Sequence, residues 1–201
     1  MIESYTVRRS KDVATLHING IKTGFISTLG LPFVATLYKA ISQSPFSTTI
    51  LDTDGKTVNG FVAGTVSTRA MYKWIFLRYG LLFALQLGLN VFYPRSIKKI
   101  IETMLYGRNT EAASEKKYRT ELQAELLSIV VAESARGNGI GRILICKLEE
   151  FYRKNGIMAY KVVTSAGDEG SNSFYIACEF EKTTSFFHHG IAMNEYEKRI
   201  I

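Results

Sequence analysis

The chain has 201 residues, of which 46% are hydrophobic and 12% are aromatic, so it is large enough to bury one sizeable core. This composition excludes an intrinsically disordered chain. The formal net charge of +7 favours anionic partners, but the basic residues are scattered and no zinc-finger or RNA-recognition motif occurs, so we expect no nucleic-acid partner. The first residues are charged and no apolar run follows them, which predicts a cytoplasmic protein without a secretory signal.

The N-terminal part of the chain predicts a strand followed by two helices. Residues 5–8 alternate in polarity, and Ser10 is a candidate N-cap for the first helix. A second helix should begin at Pro32, whose fixed φ suits the first helical position, and end before Pro45. His17 lies on the apolar stripe of the first helix, and we expect it to be a semi-buried residue without a functional role.

A β-hairpin is predicted next. Ser47–Leu51 and Val58–Val66 have the composition of strands, and residues 52–55 between them read Asp-Thr-Asp-Gly, which is typical of a tight turn. Residues 47–66 are therefore predicted to form two antiparallel strands.

Residues 71–107 are predicted to form a helical apolar insertion. Within it, residues 79–94 carry no charge, but they are fewer than the roughly 20 apolar residues that span a bilayer, and Gln86 and Asn90 interrupt them. Three roles remain open for this segment: a helix buried in the core or beneath a substrate site, a homodimer or partner interface, and contact with a membrane surface. Residues 110–120 are charged and predict a solvated connector.

The most informative stretch is a strand, a glycine-rich loop and a helix. Leu126–Val131 is almost continuously apolar, as a central strand should be, whereas Ile140–Phe151 has the three- and four-residue period of an amphipathic helix. Gly156 is placed for a left-handed helix cap. The loop Arg136–Gly141 thus lies at a helix N-terminus, where free N–H groups and glycines without Cβ atoms suit a phosphate.

The spacing of the glycines decides between known phosphate loops. A P-loop requires Lys and Ser or Thr after its last glycine, but Arg142 and Ile143 follow Gly141. A dinucleotide fingerprint would need a further glycine at Arg142 or Leu144. The pattern is instead Arg-x-x-Gly-x-Gly after a strand that ends in Val, which resembles the coenzyme A pyrophosphate loop of the GNAT superfamily of N-acyltransferases; the alternative is an ordinary glycine-rich turn.

A second motif of the same superfamily follows about forty residues later. Ala159–Thr164 predicts a strand and Ser171–Cys178 a short helix, which resemble the superfamily's strand and Asn-x-x-Ala-x-x-Phe/Leu-Tyr helix. Phe174, Tyr175 and Phe180 match that pattern. The departures from it are Asp168 in place of Asn, Ser171 in place of Ala, and Glu179 in place of Gly.

The resemblance implies a single domain over residues 1–201 with a mixed α/β fold. Its sheet should have six or seven mostly antiparallel strands flanked by helices, and the strands beginning at Leu126 and Ala159 should run parallel and splay apart to admit pantetheine. The implied function is transfer of an acetyl group from acetyl-CoA, as co-substrate, to a primary amine of a small molecule, an amino sugar or a protein. The alternative is a non-catalytic coenzyme A-binding sensor or interaction module.

The resemblance also implies the residues of the site. Tyr175 could protonate the departing thiolate, and Glu125 could accept a proton from the amine directly or through water. A backbone N–H near Val130 or Val131 could bind the oxyanion. The expected cofactor-binding residues are Ile129, Val130, Val131, Arg136, Gly137, Asn138, Gly139, Ile140, Gly141, Arg142 and Asn172.

The last part of the chain, Thr183–Lys198, predicts a hairpin that turns at Gly190 and that could wall the acceptor site. His188 and His189 precede the turn, but adjacent strand residues point to opposite faces and no third ligand is evident, so we expect no metal site. The sequence does not define the acceptor, the general base or the oligomeric state, because no motif covers the segments that should shape the acceptor pocket.

Overall fold

A seven-stranded sheet flanked by helices forms the centre of the computed structural model, which describes residues 1–21, 24–88, 122–188 and 190–200. The strands are β1 (Ile2–Ser4), β2 (Ser47–Thr53), β3 (Val58–Thr65), β4 (Glu125–Val131), β5 (Ala159–Ser165), β6 (Glu181–His188) and β7 (Ile191–Arg199). The α-helices in the described ranges are α1 (Ser10–Gly20), α2 (Leu31–Gln43), α3 (Thr68–Gly88), α4 (Ile140–Lys154) and α5 (Glu169–Ala177). The strand order is β1-β2-β3-β4-β5-β7-β6.

The sheet is antiparallel except at its centre, where β4 and β5 run parallel. Only Glu125 and Leu126 of β4 are in register with β5, opposite Lys161 and Val162, and the strands separate beyond that point. The helix α4 makes the crossover that a parallel pair requires. The predicted fold, including the splayed parallel pair, is confirmed.

One face of the sheet, here called the α2 face, is covered by α1, α2 and α3. Its core contains Val34 and Tyr38 from α2, Phe61 from β3, and Met71 and Ile75 from α3, all of them almost fully buried. The helices α1 and α2 lie between β1 and β2, whereas α3 follows β3, so the α2 face is assembled from two separate parts of the chain.

The opposite face, here called the α4 face, is covered by α4 and α5. The buried residues Leu144 and Leu148 of α4 lie against β3, and a Cβ atom on Gly64 would come within 2.5 Å of Leu148 Cδ1. Glycine at this position therefore lets the helix approach the sheet closely.

Several local predictions are confirmed. Pro32 lies in the first turn of α2, and Gly156 has the left-handed φ of 71° after the end of α4. Gly190 has a φ of 80° between β6 and β7. In the β2–β3 hairpin the Asp54 carboxylate accepts hydrogen bonds from the Lys56 and Thr57 amides, which explains the predicted turn.

The predicted first strand is wrong in position. The strand is Ile2–Ser4, paired with β2, whereas Val7–Arg9 form a 3₁₀ turn. The side chain of Val7 is 50% exposed, so the alternation at residues 5–8 does not correspond to a buried strand face. Ser10 is the first residue of α1 rather than a capping residue, because its hydroxyl donates to the Val7 carbonyl instead of accepting a helix N–H.

The apolar insertion is described only up to residue 88, and it begins as the long helix α3. Met71, Ile75 and Phe83 are buried, whereas Leu77 and Leu81 are exposed. The remainder of the predicted insertion, the connector at 110–120 and His189 lie outside the described residues. Among the described helices, none combines the length and the apolar character that crossing a membrane requires.

Candidate active site

The separation of β4 from β5 leaves backbone groups of β4 facing a gap. In an antiparallel ladder, successive N–H groups point alternately to opposite sides of the strand. The Ala132 amide donates to the Asn59 carbonyl beside β3 at 2.7 Å, so the Val131 amide points the other way, towards β5. The same alternation turns the Val130 amide towards β3. The geometry thus selects Val131 over Val130 as the predicted oxyanion donor.

The loop between β4 and α4 has the conformation that its glycines predicted. Gly137 and Gly139 have φ angles of 80° and 75°, and a Cβ on either residue would have no neighbouring atom within 4 Å. Gly139 is the N-cap of α4 and no side chain caps the helix, so the first N–H groups are not satisfied within it. Their partial positive charge and the open approach over the glycines suit a phosphate group.

Two polar side chains of this loop donate hydrogen bonds to nearby backbone carbonyls. Arg136 Nε donates to the Val131 carbonyl at 3.3 Å, and Asn138 Nδ2 donates to the Ala135 carbonyl at 3.2 Å. These hydrogen bonds to backbone carbonyls stabilise the conformation of the loop. Because both side chains are engaged in them, we expect an anion to be bound mainly by the amides of the loop and of α4.

The first turn of α4 packs closely against α5. A Cβ on Gly141 would lie 2.8 Å from the Phe174 ring, and Arg142 Nη2 donates to the Ala177 carbonyl at 3.1 Å, at the end of α5. Both residues thus have a packing role that the sequence pattern did not reveal. Their contact with a cofactor stays a prediction.

Tyr175 lies on α5 inside an aromatic cluster of the α4 face. Its ring centroid is 5.4 Å from that of Phe180 and 5.9 Å from that of Tyr196, and its side chain is 5% exposed. Burial, and to a lesser extent the charge of Asp168, raises the pKa of its hydroxyl above the ordinary value of 10. The group is protonated at neutral pH, as a proton donor must be.

Asn172, one turn before Tyr175, links α5 to the sheet. Its Nδ2 donates to the Ser165 and Asp168 carbonyls at 2.8 and 2.6 Å. Its Oδ1 accepts from Asn194 Nδ2 and the Tyr196 hydroxyl at 2.8 and 2.7 Å. Because these partners use the hydrogen-bonding capacity of the amide, a contact with a cofactor would require one of them to be released, and that role stays a prediction.

A β-bulge in β4 shapes the other face of the same strand. Ala63 and Gly64 pair with Ser128 and Leu126, so Leu127 is the extra residue on β4. The bulge turns two consecutive side chains to the α2 face, where Leu127 joins the core and Ser128 Oγ lies 2.8 Å from the Tyr38 hydroxyl.

A small cavity opens beside this bulge, here called the α2 cavity. It has a volume of about 120 Å³ and lies between β4 and the segments that precede and form α2. Glu125, the predicted general base, lines it together with His17, Tyr38 and Ser128. The structure thus brings Glu125 to the face opposite the phosphate loop.

His17 forms the inner end of a hydrogen-bonded chain at this cavity. Its Nδ1 lies 2.7 Å from the Tyr38 hydroxyl, which in turn contacts Ser128 Oγ. The side chain is 5% exposed, and its Nε2 has no hydrogen-bond partner among the described residues. Burial lowers the pKa of His17 from the ordinary 6.5 to about 4, so the imidazole is neutral at pH 7.

From the sequence, His17 was expected to be semi-buried without a functional role, and Tyr38 and Ser128 were not among the predicted site residues. The first lies on α1, which packs on α2 at Tyr38, and the third lies on β4, where the bulge turns it to the α2 face. Ser128 is the polar residue within the apolar part of β4, and a single serine in such a strand does not by itself indicate a bulge.

Comparison with protein families decides the identity of the fold and its class of chemistry. The model of the Acetyltransferase (GNAT) family matches residues 41–180, more than half of the chain, and includes both the hairpin and the glycine-rich loop. The chain belongs to the GNAT family. The splayed β4–β5 pair and the uncapped α4 N-terminus are therefore features of a GNAT acetyltransferase domain, and the resemblance drawn from the sequence is confirmed.

Solved structures share this GNAT fold over the whole chain. A ribosomal-protein-alanine N-acetyltransferase from Brucella melitensis is 15% identical with a TM-score of 0.61, covering 100% of this chain and 99% of that one. A PaiA N-acetyltransferase from Thermoplasma acidophilum, solved in complex with coenzyme A, is 12% identical with a TM-score of 0.58, covering 100% and 98%. Comparison with curated protein sequences gives no match.

A metal site is the remaining kind of centre to consider. Within the described ranges, no group of three or more His, Cys, Asp or Glu side chains is arranged to hold a metal ion.

Proposed function

We propose that this GNAT protein is an N-acetyltransferase that uses acetyl-CoA to acetylate a primary amine. The observation that supports this most is the combination of the open β4–β5 gap with two left-handed glycines at the uncapped start of α4. A separated strand pair offers backbone amides to an extended ligand, and the helix start offers amides to a phosphate.

The residues present fit coenzyme A in both of its parts. The pyrophosphate would bind over Gly137 and Gly139, where no Cβ obstructs the amides, and the pantetheine arm would lie in the gap beside Ile129 and Val131. Both the pyrophosphate loop and this gap would bind the cofactor mainly through backbone groups. The cofactor site therefore depends more on backbone conformation than on the identity of the side chains.

Acetyl-CoA supplies the acetyl group as a thioester when it is bound. The Val131 amide, turned towards the gap, would stabilise negative charge on the thioester oxygen, and such donors typically lower barriers by a few kcal/mol. Tyr175, whose hydroxyl is protonated at neutral pH, would give its proton to the departing sulfur. Glu125, at the other end of the same strand and on its α2 face, would take the proton released by the amine through intervening water.

A differential scanning experiment tests cofactor binding. We expect acetyl-CoA to raise the melting temperature, because a ligand that binds only the folded state stabilises it by mass action. ATP at the same concentration offers phosphates without pantetheine and is the control. No shift with acetyl-CoA, or an equal shift with ATP, would contradict the proposal.

A thiol-release assay tests turnover. We expect free coenzyme A to appear at a rate that depends on the amine, with the N-acetylated amine as the second product. The panel should include alkylamines, amino alcohols, amino sugars and peptides with a free N-terminus. Binding of acetyl-CoA without amine-dependent release across this panel would favour the alternative, a non-catalytic coenzyme A-binding module.

A further inference from the structure

The α2 cavity differs in character from the rest of the candidate active site. Most of its lining is apolar and comes from side chains such as Ile26, Leu29, Phe33 and Met71. The polar groups of the lining are fewer and come from His17, Tyr38, Tyr72, Glu125 and Ser128. An apolar recess with a few convergent polar groups is the usual form of a small-molecule site.

The hydrogen-bonded chain determines what His17 can offer to a ligand. Burial keeps the phenol of Tyr38 protonated by raising its pKa, so this hydroxyl donates one hydrogen bond, either to His17 or to Ser128. When Tyr38 donates to Ser128, it accepts the Nδ1 proton of His17. The lone pair of the neutral ring is then on Nε2, the atom without a protein partner.

The size of the cavity limits the ligand. Its volume of about 120 Å³ is slightly below the roughly 150 Å³ of an engineered apolar cavity that binds benzene, so it suits a short alkyl chain or a single ring. A hydroxyl or a second ammonium group on the body of the ligand would be buried against a mostly apolar lining, which is unfavourable for a hydroxyl and more so for a charge.

We propose that the α2 cavity binds the acceptor, and that the acceptor is a primary alkylamine or arylalkylamine whose nitrogen donates a hydrogen bond to Nε2 of His17. The apolar body of the amine would fill the cavity, and the bulge residue Ser128 would keep His17 in the accepting form through Tyr38. This inference rests on the proposed N-acetyltransferase function, since it identifies the acceptor of that reaction.

The first test compares two primary amines of equal length, butylamine and 3-aminopropan-1-ol, which differ only in a terminal methyl or hydroxyl group. We expect kcat/KM to be roughly 10- to 100-fold higher for butylamine, because the hydroxyl would lose its hydration against a mostly apolar lining. Equal rates for the two amines, or a preference for 3-aminopropan-1-ol, would overturn the inference.

The second test concerns the nitrogen contact. His17→Phe keeps a flat ring but removes the acceptor atom, so we expect KM for butylamine to rise roughly 3- to 10-fold, as one neutral hydrogen bond would give. The Kd for acetyl-CoA should stay unchanged, since His17 is on the other face of β4. An unchanged KM in a folded variant would overturn the assignment of His17.

The third test does not depend on the stability of a His17 variant. Leu29 lines the α2 cavity, whereas Leu16 packs on the same core without lining it, and both are half-buried. Leu29→Ala should enlarge the cavity and shift the preference from butylamine towards hexylamine by several-fold, and the control Leu16→Ala should not. Equal behaviour of the two variants would overturn the placement of the acceptor.

Acetyl-CoA binding, measured as a melting-temperature shift in each protein, separates this inference from the proposed function. If the protein binds acetyl-CoA but acetylates polar amines faster than apolar ones, the inference about the acceptor is contradicted. The proposed N-acetyltransferase function is then unaffected. A chain that neither binds acetyl-CoA nor releases thiol with any amine contradicts the proposed function itself.

Discussion

The two faces of β4 present opposite kinds of binding surface. Towards the α4 face and the gap, the groups expected to hold the cofactor are mainly backbone amides and glycines, as at Val131, Gly137 and Gly139, and Tyr175 is the side chain proposed to act in the chemistry. On the α2 face, the groups are side chains, namely those of His17, Glu125 and the apolar residues around them. The central strand thus belongs to both surfaces, and its bulge turns extra side chains towards the second one.

This difference predicts different sensitivities to mutation. A surface made of backbone amides should tolerate most side-chain changes but not a change that adds a Cβ where the ligand lies. A surface made of side chains should respond to each substitution through the loss of a specific contact or a change of volume. Four variants test this contrast, ordered from the largest expected effect to the smallest.

The largest effect is expected from Gly139→Val. A branched side chain over the start of α4 would block the pyrophosphate, and losing two hydrogen bonds to a charged group should raise Kd for acetyl-CoA roughly 10²- to 10³-fold. The measurement is a titration of acetyl-CoA by calorimetry.

Gly156→Val is the matched control for Gly139→Val. Gly156 has a φ of 71° and equally open surroundings, but it lies at the far end of α4. Both variants should lose stability by about 1–3 kcal/mol because valine disfavours left-handed φ. Equal acetyl-CoA affinity in the two variants would show that the phosphate does not bind at the loop.

The next largest expected effect is the dependence of folding stability on pH, which arises from His17 on the α2 face. The pKa of His17 is lowered in the folded protein, so the unfolded chain binds more protons between pH 6.5 and about 4. Stability linked to His17 is therefore fully present above pH 6.5 and is lost as the pH falls through this range, by up to about 3 kcal/mol.

Urea unfolding of the wild type and of His17→Phe at several pH values isolates this contribution. We expect the difference in unfolding free energy between the two proteins to shrink as the pH falls from 7 to 4. A difference that stays constant over this range would mean that His17 is not buried as a neutral imidazole.

Tyr175→Phe should reduce kcat by roughly 10²-fold with little change in Kd for acetyl-CoA, because the hydroxyl acts only once charge develops on sulfur. Tyr196→Phe is the control, since it removes a neighbouring hydroxyl that binds Asn172 instead. Wild-type turnover in Tyr175→Phe would leave this residue a packing role alone.

The smallest effect is expected from Tyr38→Phe. The variant removes the hydroxyl between His17 and Ser128 and should destabilise the protein by about 1–2 kcal/mol, because both partners lose a hydrogen bond. The affinity for acetyl-CoA should be unchanged. A weakened acetyl-CoA affinity would mean that the two faces of β4 are not independent.

The same contrast explains which parts of the molecule could be predicted from sequence. The phosphate loop consists of neighbouring residues whose glycines adopt φ angles that few other residues allow, so Gly137 and Gly139 are visible as a pattern. The parallel pair of β4 and β5 was implied by the family resemblance, and the helix between them is long enough for the crossover that such a pair needs. These features are local, and the structure shows both.

The α2 face was not predictable in this way. Several residues that line the cavity have the sequence pattern of ordinary core residues, among them His17, Phe33 and Met71. A helical side chain that faces a cavity has the same period as one that faces the core, so the pattern does not distinguish them. The bulge at Leu127 adds one residue to a strand whose residues 126–131 are apolar except for Ser128, so there is no regular alternation that would reveal it. The packing roles of Gly141 and Arg142 likewise depend on α5, which lies later in the chain.

Amide and side-chain NMR during two titrations would test most directly whether the two ligands bind on opposite faces of β4. Coenzyme A should shift the amide signals of Val131, Gly137 and Gly139, and butylamine should shift the imidazole of His17 and the amide of Ser128. We predict two separate sets of shifted signals that meet only at β4. Coenzyme A shifts confined to the α2 cavity, with the loop signals unchanged, would contradict the account.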